Sequence, residues 1–325
     1  MPHACENSGH AAGAAVERRK QMDQIQAMRV FARVVEAGSF TRAADSLAIP
    51  KGTVTKQIQA LEARVRVKLL NRTTRRVTVT PDGAAYYERA SRLLNDLDDL
   101  ESSMTNAQAN PSGRLRIDVG SSTASLLLIP ALGDFFMRYP DIQLDLGVSD
   151  RIVDMLTDNV DCVIRAGEIT DQSLVARRIG SLPFVSVASP AYLKRYGVPQ
   201  HPHDLDKRHR VVGYFSGNTR RLYPDEYNKD GERIEIDGSY SIAVNENNAH
   251  THAVLAGLGV SQMVTFVAQQ YLESGELVQV LQDWTREPIP IYVVYPPNRH
   301  LSAKVRAFVD WAAELFAKNP LLQRT

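Results

Sequence analysis

Two pairs of histidines, His201/His203 and His250/His252, each have one residue between them. In a strand both members of such a pair face one side and could hold a metal. No carboxylate or cysteine completes either set at a recognisable spacing, so these histidines are expected on the surface and no metal site is expected. Cys5 and Cys162, the two cysteines, make neither a zinc site nor a disulfide framework, and Cys162 lies in an apolar run that reads as core. Phosphate-binding loops, nucleophile elbows and catalytic cysteine patterns are absent, so neither catalysis nor a cofactor is expected. A different set of residues has usable chemistry. Lys51, Gly52, Thr53, Thr55, Lys56 and Gln57 are short or cationic groups able to reach base edges and phosphates in a major groove, with Gly52 allowing close backbone approach. Arg72, Arg75 and Arg76 follow, cations suited to phosphates or to the minor groove.

The elements that position these groups follow from periodicity. Asp23 can cap a helix with Met28, Phe31, Val34 and Val35 at helical spacing, ended by Gly38. Ser39 or Thr41 caps a short second helix holding Ala43, Ala44 and Leu47. After Pro50 a third helix has Val54, Ile58 and Leu61 on its buried side. This layout is helix-turn-helix, and the basic residues lie in the first turns of its third helix. Val77-Thr78-Val79-Thr80 alternates after a polar turn and predicts a small hairpin, or wing, tipped by the arginines. The chain has a net charge of +1, but Met22 to Gly83 carries eleven Lys and Arg against five Asp and Glu, so the remainder is acidic. A compact basic domain beside an acidic one suits a nucleic-acid reader joined to a separate partner module. Pro81 then opens a helix at the position where its missing N–H costs nothing. Tyr86, Ala90, Leu93, Leu97, Leu100 and Met104 recur at steps of four and three, a heptad seam that would pair two copies of the chain. A single buried helix would show the same stripe. Residues 106–113 are polar and breaker-rich, and read as a hinge.

Beyond the hinge, Leu115, Ile117 and Val119 alternate with polar residues up to Gly120, and a helical run reaches Arg138. Residues 142–148 alternate again, and 161–164 form a third short strand. Strands alternating with helices imply a parallel α/β sheet whose ligands sit beyond the carboxyl ends of its strands. Ser121, Ser122 and Thr123 lie at such an end and at a helix start, where hydroxyls and free N–H groups could hold a carboxylate. Tyr223 to Arg233 reads as a polar loop with Asp230-Gly231 at its turn.

Several words of the sequence match one family in order: residues 31–40 (FARVVEAGSF), 43–47 (AADSL), 54–62 (VTKQIQALE), 72–76 (RTTRR) and 80–83 (TPDG). Later words agree, at 161–167 (DCVIRAG), 173–180 (SLVARRIG), 188–193 (ASPAYL), 203–205 (HDL) and 256–260 (AGLGV). The chain resembles LysR-type transcriptional regulators from Met22 nearly to its end. Pro50-Lys51-Gly52 departs from the family's common Ser-Gln-Pro, so base preferences of other members do not carry over. The resemblance implies a winged helix-turn-helix over 22–80, a dimerising linker helix over 81–108, and an effector domain over 112–325. That domain would have two Rossmann-like lobes, as in periplasmic binding proteins, with lobe I at about 113–182 and 267–316 and lobe II at about 183–266. It also implies that the effector cleft involves Ser121, Ser122, Thr123 and Ser149, faced by Arg165, Tyr214, Phe215, Asn245 and Asn247. Arg165 could instead form a structural salt bridge, the serines a plain cap, and the asparagines loop caps.

The function expected is a cytoplasmic, sequence-specific regulator of transcription modulated by a small molecule. Its implied partners are double-stranded operator DNA, an effector of carboxylate or aromatic-acid type, RNA polymerase, and further copies of the chain as homodimer to homotetramer. No membrane partner is expected, because no apolar run approaches the ~20 residues of a span. A ligand-independent DNA-organising protein is the alternative, and an enzyme a more distant one. Met1 to Gln21, without the apolar core of a secretory signal, is expected to be a disordered extension dispensable for function.

Overall fold

A computed structural model describes residues 23–72, 77–104, 110–151, 153, 155, 158, 160–169, 171–297 and 301–323. The expected extension over 1–21, Arg75 and Arg76 at the wing tip, and most of the expected hinge lie outside the described residues, as do the side chains of Arg72 and Met104. The chain divides into two units between Thr105 and Asn106.

In the first unit, helix α1 (Asp23–Ala37) stops where Gly38 takes a φ of +59°, a left-handed conformation that costs glycine little. Ser39, in extended backbone, accepts the Arg42 N–H at 3.4 Å and starts α2 (Phe40–Ser46). Helix α3 (Lys51–Val65) begins after Pro50, which offers no side-chain cap. Val30, Phe31 and Val34 of α1 pack with Ala43, Ala44, Val54, Ile58 and Leu61 in one core. Each large member contributes about 1.5–3 kcal/mol by leaving water. Strands β1 (Leu70–Arg72) and β2 (Val77–Val79) pair antiparallel as the wing. Helix α4 (Pro81–Met104) leaves from its base. There the Leu69 carbonyl accepts the Thr80 N–H at 3.1 Å, and a Cβ on Gly83 would stand 2.0 Å from the same oxygen. Only glycine lets α4 start so close to the wing.

The second unit is built on β3 (Gly113–Val119), β4 (Ile142–Val148), β5 (Cys162–Ala166) and β6 (Val175–Leu182). With β14 (Ile289–Tyr295) they form one sheet in the order β4-β3-β5-β14-β6. The expected parallel pairing holds for β3 with β4 and β5, but β14 runs antiparallel to both its neighbours, so the sheet is mixed. Between β3 and β4 run α5 (Ser121–Thr123), a π-helical turn (Ala124–Leu128) and α6 (Ile129–Arg138). Pro130 explains the widened turn: it has no N–H, and its ring would collide with the carbonyl four residues back.

Lobe II starts with β7 (Phe184–Ala188), followed by α7 (Pro190–Tyr196), α8 (Asp204–Lys207) and β8 (Val211–Tyr214). Next come β9 (Asp225–Lys229), β10 (Glu232–Ile236), β11 (Tyr240–Val244), α9 (Asn247–Leu255), β12 (Ser261–Val264), α10 (Thr265–Ser274) and β13 (Val278–Gln279). β12 and β13 flank β7, while β8 and β11 pair in parallel. Val278 and Gln279 pair with β7, while Phe266, Val267 and Ala268 of α10 share a core with Phe135, Phe308 and Trp311. The segment expected as a loop over 223–233 is largely a hairpin of β9 and β10. Its turn is Asp230 and Gly231 at φ +50° and +85°, the two positive values that match strand twist. Helix α11 (Ala303–Ala317) returns to lobe I, where Phe308 and Trp311 pack on Phe135 and Trp311 Nε1 donates to Asp134 at 2.9 Å.

Candidate functional site

The first turns of α3 divide cleanly by burial. Val54, Ile58 and Leu61 are buried in the three-helix core, whereas Lys51, Gly52 and Lys56 are exposed and Thr53, Thr55 and Gln57 are partly so. A Cβ on Gly52 would meet nothing within 4 Å, so nothing in the fold requires a glycine there. Along α4, Tyr86 packs edge-on against Phe31 at 5.5 Å between ring centroids, and Ala90 is buried. Farther along, Leu97 is partly buried while Leu93 and Leu100 are 58% and 56% exposed, an apolar stripe on the outside of the unit.

In the second unit the carboxyl end of β3 leads through Gly120 into α5, and Ser149 N–H bonds back to the Val119 carbonyl at 3.0 Å. This places Asp150 against the start of α5. Asp150 Oδ1 accepts the Ser121 N–H at 2.8 Å, and Oδ2 accepts the Ser121 hydroxyl at 2.8 Å. The same Oδ2 accepts the Asn247 N–H at 2.7 Å and its Nδ2 at 3.0 Å. Asp150 thus bonds to residues of both lobes. Glu246 caps α9 by accepting the Asn248 and Ala249 N–H groups at 3.0 and 2.7 Å. Burial alone would raise its carboxyl, but the Ser121 hydroxyl, those amides and the charge of His252 outweigh it and hold it below its usual range. Tyr214 lies close by, with its hydroxyl pushed well above its usual range by burial and then by the negative charges of Asp150 and Glu246.

The other expected cleft residues scatter around this junction. Ser122 and Thr123 are buried, and the Ser122 hydroxyl has no hydrogen-bond partner among the described residues. Ser149 Oγ accepts the Arg151 N–H at 3.1 Å. Arg165 makes an ion pair with Asp118 and donates to the Arg151 carbonyl at 3.1 Å, so it serves as a structural tie. Phe215 N–H bonds to the Val244 carbonyl at 2.9 Å. A Cβ on Gly217 would stand 3.3 Å from Asn245 Nδ2 and 3.1 Å from Arg151 Cγ, so these three residues crowd together. Sequence reasoning passed over Asp150 and Glu246. For Glu246 the available signal was an acidic residue directly before a helix start.

The histidine pairs lie outside strands. His250 and His252 are on α9, where neighbours two apart point away from each other: His250 is buried and His252 exposed. His201 and His203 stack at 5.2 Å between ring centroids, and no metal-binding group of three or more His, Cys, Asp or Glu occurs among the described residues. Cys162 is buried in β5, with its thiol pushed well above its usual range by burial and by Asp161. No helix among the described residues is long and apolar enough to cross a membrane.

Two family models match: the lysR family of bacterial regulatory helix-turn-helix proteins over residues 25–84, and the LysR substrate binding domain over residues 108–317. The chain belongs to the LysR family. An HTH-type transcriptional repressor of Pseudomonas aeruginosa is 41% identical over 304 residues, covering 94% of this chain and 96% of the relative. Full-length AphB, a virulence activator of Vibrio cholerae, shares 31% identity with a TM-score of 0.56, covering 89% of this chain and 98% of that one. CrgA of Neisseria meningitidis shares 29% identity with a TM-score of 0.57, covering 90% and 99%. This LysR-type chain is accordingly a transcriptional regulator and not an enzyme, with a helix-turn-helix DNA-binding domain and a two-lobed effector-binding domain.

Proposed function

We propose that the chain works in the cytoplasm as a dimer or tetramer that reads an inverted-repeat operator and responds to a small anionic or aromatic-acid effector held where the lobes meet. The observation that carries this reading is the exposed start of α3. Lys51, Gly52, Thr53, Thr55, Lys56 and Gln57 lie opposite a fully packed face, as groove-reading residues must. Arg72, Arg75 and Arg76 add phosphate contacts beside them. The stripe of Tyr86, Ala90, Leu93, Leu97, Leu100 and Met104 pairs two α4 helices and so presents two reading heads. In the second unit Ser121, Ser122, Thr123, Ser149, Arg165, Tyr214, Phe215, Asn245 and Asn247 surround the effector, with Ser121 and Asn247 supplying anion-binding N–H groups. RNA polymerase is the partner through which bound effector changes transcription.

Selection of bound fragments from genomic DNA by the full chain, followed by footprinting, tests the reading. It should return an inverted repeat with half-sites about one helical turn or more apart. Equal affinity for all fragments would overturn it and favour a DNA-organising protein.

A further inference from the structure

Asp150 accepts four hydrogen bonds: the Ser121 N–H on Oδ1, and the Ser121 hydroxyl, the Asn247 N–H and Asn247 Nδ2 on Oδ2. Two of these donors are backbone N–H groups at helix starts and two are side chains, a donor set suited to a carboxylate. The donors come from both lobes, and Asn247 is 97 residues from Asp150 in sequence. The approach is close: a Cβ on Gly120 would be 3.0 Å from Asp150 Oδ1. Glu246 is committed to capping its own helix, and Arg165 is committed to Asp118. An incoming anion therefore meets occupied donors and two carboxylates.

We propose that Asp150 is a built-in occupant of the effector site, its carboxylate filling the anion-binding positions and latching lobe to lobe, so that an anionic effector acts by displacing it. The proposal rests on the reading that the effector binds at this junction. It adds a competition: the effector's apparent affinity is lowered by the fraction of molecules in which Asp150 holds the site. It also makes the unliganded state a closed one, stabilised by the protein's own carboxylate, and displacement the event that alters it.

The test uses the full chain as wild type, Asp150→Ala, and Asp150→Ala combined with Asn247→Ala. The probe is sodium acetate, a small molecule carrying the carboxylate that truncation removes, against sodium chloride at equal ionic strength. Asp150→Ala should melt lower than wild type and be restored saturably by acetate, with affinity about tenfold or more above wild type. Adding Asn247→Ala should abolish that restoration. Equal acetate response in wild type and Asp150→Ala, or none in a folded Asp150→Ala, would overturn the proposal. Should Asp150→Ala not fold, hydrogen exchange of wild type decides: the Ser121 and Asn247 amides should be protected without ligand, and rapid exchange at both would overturn the latch. Acetate rescue that leaves operator footprints unchanged would keep the latch and overturn the placing of the effector here.

Discussion

Glu62 Oε1 accepts the backbone N–H of Leu69 at 3.0 Å, tying the end of α3 to the first strand of the wing. The same oxygen accepts the Leu70 N–H at 3.2 Å, and Oε2 pairs with Lys68 Nζ at 3.0 Å, with the Glu62 side chain only 5% exposed. Burial alone would raise this carboxyl. Lys68 and the two amides outweigh it, so its pKa falls below the ordinary 4.5. A depressed carboxyl stabilises the fold fully above its unfolded value, and that stability is lost as pH falls through the folded value. Glu62→Ala strands two buried N–H groups and is expected to cost about 1–3 kcal/mol at pH 7. Melting curves should show the gap between variant and wild type closing below pH 4.5. A gap independent of pH would show that the charge is not what Glu62 contributes.

Gly52 separates folding from reading. Alanine there meets open space and favours the helix, so Gly52→Ala should keep or raise stability, by up to about 1 kcal/mol. Operator affinity should nonetheless fall, because the added methyl stands between backbone and DNA. Unchanged affinity in gel shift would mean the start of α3 does not approach the groove.

Thr55 and Arg75 should fail differently. Thr55→Ala is expected to cost about 1–3 kcal/mol on the operator and little on random DNA, relaxing preference at one base step. Arg75→Ala should weaken binding to every sequence and flatten its salt dependence. Fluorescence anisotropy across a salt series distinguishes them, and equal loss on both DNAs for Thr55→Ala would refute its reading role.

Replacing Leu93 and Leu97 together with lysine should place like charges in the α4 seam. The mass from light scattering should fall to a monomer and specific operator binding should disappear, while acetate rescue of an Asp150→Ala background is retained. Wild-type mass and affinity in the double variant would show that chains pair elsewhere.

Residue pattern was most informative where one physical cue dominated. Val54, Ile58 and Leu61 at helical spacing, and Leu115, Ile117 and Val119 in alternation, located α3 and β3 because each face meets one environment. The β9–β10 hairpin escaped for the opposite reason. Its strands are mostly Asp, Glu, Asn, Lys and Arg, with Tyr227, Ile234 and Ile236 the apolar members that turn inward, so the alternation hides although Asp230-Gly231 marks the turn. Asp150 was illegible because its partner Asn247 is brought near only by the second lobe. Strand β13 escaped because its two residues are too short a run to show a period.

The tight seat of Gly83 on the Leu69 carbonyl makes the 24-residue α4 a lever pivoted on the wing. At 1.5 Å per residue it is about 36 Å long, so a tilt of ~10° at the pivot sweeps its far end through about 6 Å. A bulkier residue at position 83 would push the start of α4 away from the wing and loosen the fulcrum.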